Sequence, residues 1–152
     1  DRACVKLREQ NGYAQAIYVF VKTNKFKANI QQYRNGATYS FVNPTNDTLE
    51  ITGKATKLIE AIFKRGIEYK KAGIMLLDLT QSEGIQDSFF TENFRTPKKS
   101  EKLMNAMDYI NNRYGNETIH SLAQGLDKKW IMNCNNRSPR YTTQWGELPT
   151  VQ

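Results

Sequence analysis

Tyr69–Phe90 reads Y-K-K-A-G-I-M-L-L-D-L-T-Q-S-E-G-I-Q-D-S-F-F. Its first part, Ala72–Leu79, is an apolar run long enough for a buried or half-buried strand. Its second part is a polar loop ending on Gln86, with Phe89 and Phe90 three residues later. The residues on its amino side have the periodicity of an αβ domain, and those on its carboxyl side look like a smaller module. The run is therefore read as the last strand of one unit and the lead-in to a tether.

Working outward toward the amino end, Asp47–Arg65 is the clearest helix. Ile51, Ala55, Leu58, Ile59 and Ile62 recur at helical spacing and form one apolar stripe. Asp47 with Glu50 resembles a capping box, and Gly66 supplies a stop. Before it, Tyr13–Thr23 is a β-branched and aromatic strand with Ile17, Val19 and Val21 on the core face and Tyr18, Phe20 and Lys22 on the other. Arg34–Val42 is its expected antiparallel partner, and Asn43–Asn46 a turn. Asp1–Gln10 is helix-like and ends at Asn11-Gly12, residues that accept a left-handed cap. The order α-β-β-α-β is that of a ferredoxin-like β-α-β-β-α-β unit without its first strand.

Toward the carboxyl end, Ser100 is expected to cap a helix with Leu103, Met104, Met107 and Ile110 inward and Gly115 closing it. Thr118–Leu122 reads as a short strand, Gln124–Cys134 carries Trp130 and Met132, and Arg137–Val151 reads as extended. The domain reading is residues 1–79, a linker at 80–99 and a small module at 100–152.

The composition, 39% hydrophobic and 24% charged, suits a soluble folded chain, and no run approaches the length of a membrane span. Asp1 begins without an initiator Met, as in a piece of a longer protein. Cys4 and Cys134 have no partners at metal-ligand spacing, and His120 completes no cluster. Both cysteines are read as reduced thiols of a cytoplasmic protein, with a disulfide as the alternative. The net charge of +7 is uneven: residues 1–79 carry 13 Lys+Arg against 7 Asp+Glu, and residues 80–152 carry 9 against 8. A polyanion should therefore meet the first half, while the nearly neutral second half suits a protein–protein surface.

Five stretches carry a family resemblance: A-C-V-K-L-R at Ala3–Arg8, V-F-V-K-T-N at Val19–Asn24, K-A-G-I-M-L at Lys71–Leu76, Trp130-Ile131-Met132, and S-P-R-Y-T-T at Ser138–Thr143. Together they make the chain similar to the C-terminal part of the UmuC-type Y-family DNA polymerases, over essentially its whole length. The resemblance implies that residues 1–79 are most of the little finger, the domain that grips primer-template DNA with a sheet backed by two helices. Lys22, Lys25, Lys27, Arg34, Lys70 and Lys71 are then the candidate phosphate contacts, giving a sequence-independent, salt-sensitive grip. A solvated basic face without a ligand is the competing reading of the same charges.

Gln86, Phe89 and Phe90 resemble the short peptide by which polymerases dock on the sliding clamp, the glutamine bonding at a pocket rim and the rings filling an apolar groove. Packing of the two rings under the second module is the alternative. The resemblance further implies a C-terminal region associated with a UmuD-type dimer and RecA, where Tyr141 and Trp145 are candidate anchors. Asn133-Cys134 depart from the family pattern, which is commonly basic after Trp-x-Met.

Catalysis by the fragment is not expected. Asp78, Glu83 and Asp87 form no carboxylate cluster of the kind that holds two metal ions, so no cofactor is assigned to these residues and the Mg2+ of the parent enzyme would lie elsewhere. The function read here is the DNA- and partner-binding region of an error-prone translesion polymerase in the SOS response. The alternatives are a free-standing basic DNA-binding protein and a protein-interaction adaptor. The absent first strand is expected to leave a central gap in the sheet, to be filled by another segment or by dimerisation.

Overall fold

A computed structural model describes residues 1–81, 97–115, 117–122, 125 and 136–148. The chain order is α1 (Arg2–Glu9), β1 (Gly12–Thr23), β2 (Arg34–Thr45), α2 (Thr48–Ile62), β3 (Tyr69–Gln81) and α3 (Pro97–Tyr114), with a 3-10 turn at Trp145–Glu147. The strands form one antiparallel sheet in the order β2-β1-β3. Alternation along β1 sends Ile17, Val19 and Val21 to the helix side, where they pack with Cys4 of α1, Ile51 and Ile62 of α2, and Phe41 of β2. The fold is α+β with its helices against one face of the sheet, as expected.

The expected central gap is corrected. β1 pairs with β2 from Ala14–Thr45 to Lys22–Arg34 and with β3 from Gly12–Gln81 to Thr23–Tyr69, so the middle of the sheet is filled. Among the described residues the open edges are the outer sides of β2 and β3. The gap that suggested dimerisation is absent.

Several element ends differ from the sequence reading for identifiable reasons. The first helix turns at Asn11, whose φ of 50° is left-handed, while Gly12 packs so close to Leu7 that a Cβ there would stand 2.8 Å from Leu7 Cδ1. Asn43–Asn46 is not the turn that ends β2. The pairing steps from Ala16–Ser40 to Ala14–Thr45, so the intervening residues bulge and the strand resumes. Pro44 is tolerated because β2 is an edge strand. Asp47 caps α2 by accepting from Leu49 N–H at 2.7 Å, whereas Glu50 accepts from Thr45 Oγ1 at 2.8 Å and leaves the capping box half-made. α2 stops at Ile62, before Gly66, because Tyr33 Oη donates to the Ile62 carbonyl at 2.8 Å and Phe63 turns out against Tyr69.

α3 begins at Pro97, with Ser100 inside the first turn, where its hydroxyl donates to Asp47 Oδ2 rather than capping its own helix. Met104 is fully buried and Met107 and Ile110 half-buried, but Leu103 faces outward, which corrects its inward assignment. Gly115 closes the helix at a φ of 111°. Thr118–Leu122 is a turn and not a strand, because Asn111 clamps Ile119 through both its backbone groups at 2.9 Å. Within residues 136–148 the chain is not extended: Arg140 and Glu147 fold it into a loop closed at 2.8 Å. Gln124–Cys134, apart from residue 125, lies outside the described residues.

Candidate nucleic-acid interface

Antiparallel pairing on both sides of β1 gathers one end of the sheet from two separate stretches of the chain. That end comprises the close of β1, the loop of residues 24–33, the start of β2 and the start of β3. All six sequence-predicted cations fall there, and all are exposed. Lys22 stands directly opposite Arg34 on one side and Lys71 on the other. With neighbouring strands about 4.8 Å apart, the three form one row across the sheet. Like charges placed directly opposite destabilise a sheet, and none of the three has a carboxylate within ion-pair distance among the described residues.

The other three cations are placed differently. Lys25 sits with its Nζ 4.9 Å from the ring of Phe26, itself 84% exposed at the loop tip. Lys27 is partly neutralised by Glu68 at 3.8 Å. Lys70 falls where the β1–β3 register shifts, between the Lys22–Lys71 and Thr23–Tyr69 pairs, so it is not a member of the row. The loop itself is built: Gln32 Nε2 donates to the carbonyls of Asn24 and Lys27 at 3.2 and 2.9 Å, and Tyr33 N–H donates to Thr23 Oγ1 at 3.0 Å. These bonds hold Lys25 and Lys27 beside the sheet end.

Gln86, Phe89 and Phe90 lie outside the described residues. Tyr141 is half exposed, at 51%, on the turn after Arg140, and Trp145 opens the 3-10 turn. Salt bridge and hydrogen bonds from Arg140 hold the Glu147 carboxyl below the usual carboxylate range. Among the described residues no three His, Cys, Asp or Glu side chains converge as a metal site. Among them, too, no helix is long and apolar enough to cross a membrane.

One contact escaped the sequence reading. Arg8 grips Asp108 of α3 through two parallel bonds, at 2.6 and 2.7 Å, and its remaining nitrogen donates to Asn46 O and Thr48 Oγ1, both at 2.8 Å. Thr48 N–H points at Met104 Sδ, 3.4 Å away. Residues 46–48, at the start of α2, thus seat α3 against the first unit. The partners are 100 positions apart, so nothing local in the sequence signals them.

Fold and surface together define a small α+β domain with a concentrated basic sheet end and a carboxyl-terminal helix docked on its helical side. The chain belongs to the impB/mucB/samB family, whose C-terminal domain matches residues 1–89. Residues 101–151 match a domain of unknown function, DUF4113. The chain is 36% identical to protein UmuC of Salmonella typhimurium strain LT2 over 152 residues, covering 99% of this chain and 36% of that protein. It is 35% identical to SamB of Salmonella typhimurium, covering 100% of this chain and 35% of SamB. It is 36% identical to MucB of Escherichia coli over 149 residues, covering 97% of this chain and 34% of MucB. The chain thus spans about a third of the length of these curated relatives. No solved structure matches it. The resemblance to UmuC-type proteins read from the sequence holds along nearly the whole chain.

Proposed function

We propose that this chain is the DNA- and partner-binding region of a UmuC-type translesion polymerase, and that it grips primer-template DNA with the basic end of its sheet. The observation that carries the reading is the row Arg34–Lys22–Lys71. Three like charges in register weaken the free fold, and a phosphate backbone laid across them converts that cost into attraction. Lys25, Lys27 and Lys70 extend the same surface. Contacts to phosphate alone carry no sequence information, which suits an enzyme that must hold any template.

In the same reading, Gln86, Phe89 and Phe90 dock on the sliding clamp, and the carboxyl-terminal region with Tyr141 and Trp145 meets a UmuD-type dimer and RecA. Family membership supports the general setting, and the Gln-x-x-Phe-Phe pattern supports the clamp. The DNA arm is tested by binding of a fluorescent primer-template across a salt series, with and without Lys22→Glu/Lys25→Glu. The reading predicts that log affinity falls linearly with log salt and that the slope flattens by about one for each phosphate contact removed. Binding indifferent to both salt and substitution would remove the DNA assignment and leave an adaptor.

A further inference from the structure

Beyond the cation row, the same sheet face carries an aromatic pair that phosphate binding does not explain. Tyr18, Phe20 and Lys22 are successive outward positions of β1, and the helices pack against the opposite face. The two rings are stacked, with centroids 5.9 Å apart and planes within 24°. Each lies down across a neighbouring strand because a glycine is there. A Cβ on Gly36 of β2 would stand 2.3 Å from Tyr18 Oη, and one on Gly73 of β3 would stand 2.6 Å from Phe20 Cζ. The end of each ring therefore lies close over a neighbouring strand, and both residues are half-buried, so part of each ring stays open to solvent on this face.

We infer that Tyr18 and Phe20 form a stacking platform for unpaired nucleobases, so that the sheet holds single-stranded DNA as well as duplex phosphate. This rests on the DNA-binding reading above. The solvent-open part of an aromatic ring offers stacking to any base, without sequence preference. Bases inside a duplex cannot use it: they stack on one another at about 3.4 Å per strand and hide their faces, whereas a base that has left the stack has a face free to meet a ring. The charge complements this occupant, because the next outward residue is Lys22, with Arg34 and Lys71 beside it. A strand whose bases lie on Tyr18 and Phe20 runs its phosphates into that row.

The test compares anisotropy titrations of the 152-residue chain with three fluorescein-labelled probes at one salt concentration. The probes are a short single strand, the same strand with abasic sites, and the matched duplex. The inference predicts that the wild-type chain binds the base-bearing strand at least about fivefold tighter than the abasic one. Phe20→Leu is expected to lose that difference while duplex affinity stays unchanged. Gly73→Ala, which keeps the ring but lifts it off the sheet, is expected to do the same. Equal binding of abasic and base-bearing strands by the wild-type chain would overturn the platform and leave the phosphate grip standing. Failure to bind any of the three probes at that salt concentration, chosen low, would overturn the DNA reading itself.

Discussion

Arg8 shows how one side chain can join distant parts of a fold. Its side chain is 9% exposed and that of Asp108 21%, so the pair is largely out of water. Removing one partner strands a charged donor, which costs more than the pair itself contributes. Asp108→Asn is expected to lower stability by about 2 kcal/mol, read as a shift of the urea midpoint. Cys4, on the same helix, is fully buried, and burial pushes its thiol up from the ordinary value. The nearby positive charges of the amino terminus and Arg8 act in the opposite direction. Because the folded state favours the protonated thiol, this contribution is constant at neutral pH. It declines once pH passes the ordinary thiol range, where the unfolded chain ionises first. Wild-type stability should therefore fall between about pH 8 and 10 more steeply than that of Cys4→Ala, and native Cys4 should resist a thiol reagent that labels it in urea. A rapidly labelled native Cys4 would contradict its burial.

The elements divide between those that periodicity identifies and those that long-range contacts decide. The stripe Ile51, Leu58, Ile59 and Ile62 is legible because α2 needs only one face buried. Its end is not legible, because the stop comes from Tyr33, 29 residues away, and not from Gly66. Thr118–Leu122 has strand-like composition, but the side chain of Asn111 supplies its bonds locally. α3 is legible as a helix but its seat is not, since the stripe that names Met104 also names Leu103, and only the surface of α2 selects between them. Met104→Ala should cost about 2–4 kcal/mol and speed amide exchange across α3 while leaving the centre of β1 protected. Equal acceleration in β1 would mean that α3 is part of the sheet's cooperative unit.

At the scale of the molecule, the site is half legible. Residue type and strand alternation name the six cations and the outward face, because both are local properties. What alternation cannot give is register. Lys22 meets Arg34 through the length of the loop at residues 24–33, and meets Lys71 through a pairing nearly fifty positions apart. The strand order escapes the pattern for the same reason: hydrophobic periodicity says that strands exist and leaves open which lies between which. The consequence for function is concentration. Basic residues spread over Lys22–Lys71 in sequence become one end of a sheet, opposite in character to the nearly neutral carboxyl-terminal part.

Location, rather than net charge, is thus the central claim. The most direct test compares two triple variants with the same change of charge. One reverses the row, as Lys22→Glu/Arg34→Glu/Lys71→Glu, and the other reverses exposed helical cations, as Arg2→Glu/Lys6→Glu/Lys57→Glu. Primer-template affinity is then measured for both at one salt concentration. The account predicts a loss of at least about a hundredfold for the row and no more than about tenfold for the helices. Equal losses would show that DNA responds to net charge alone and that the sheet end is not its seat.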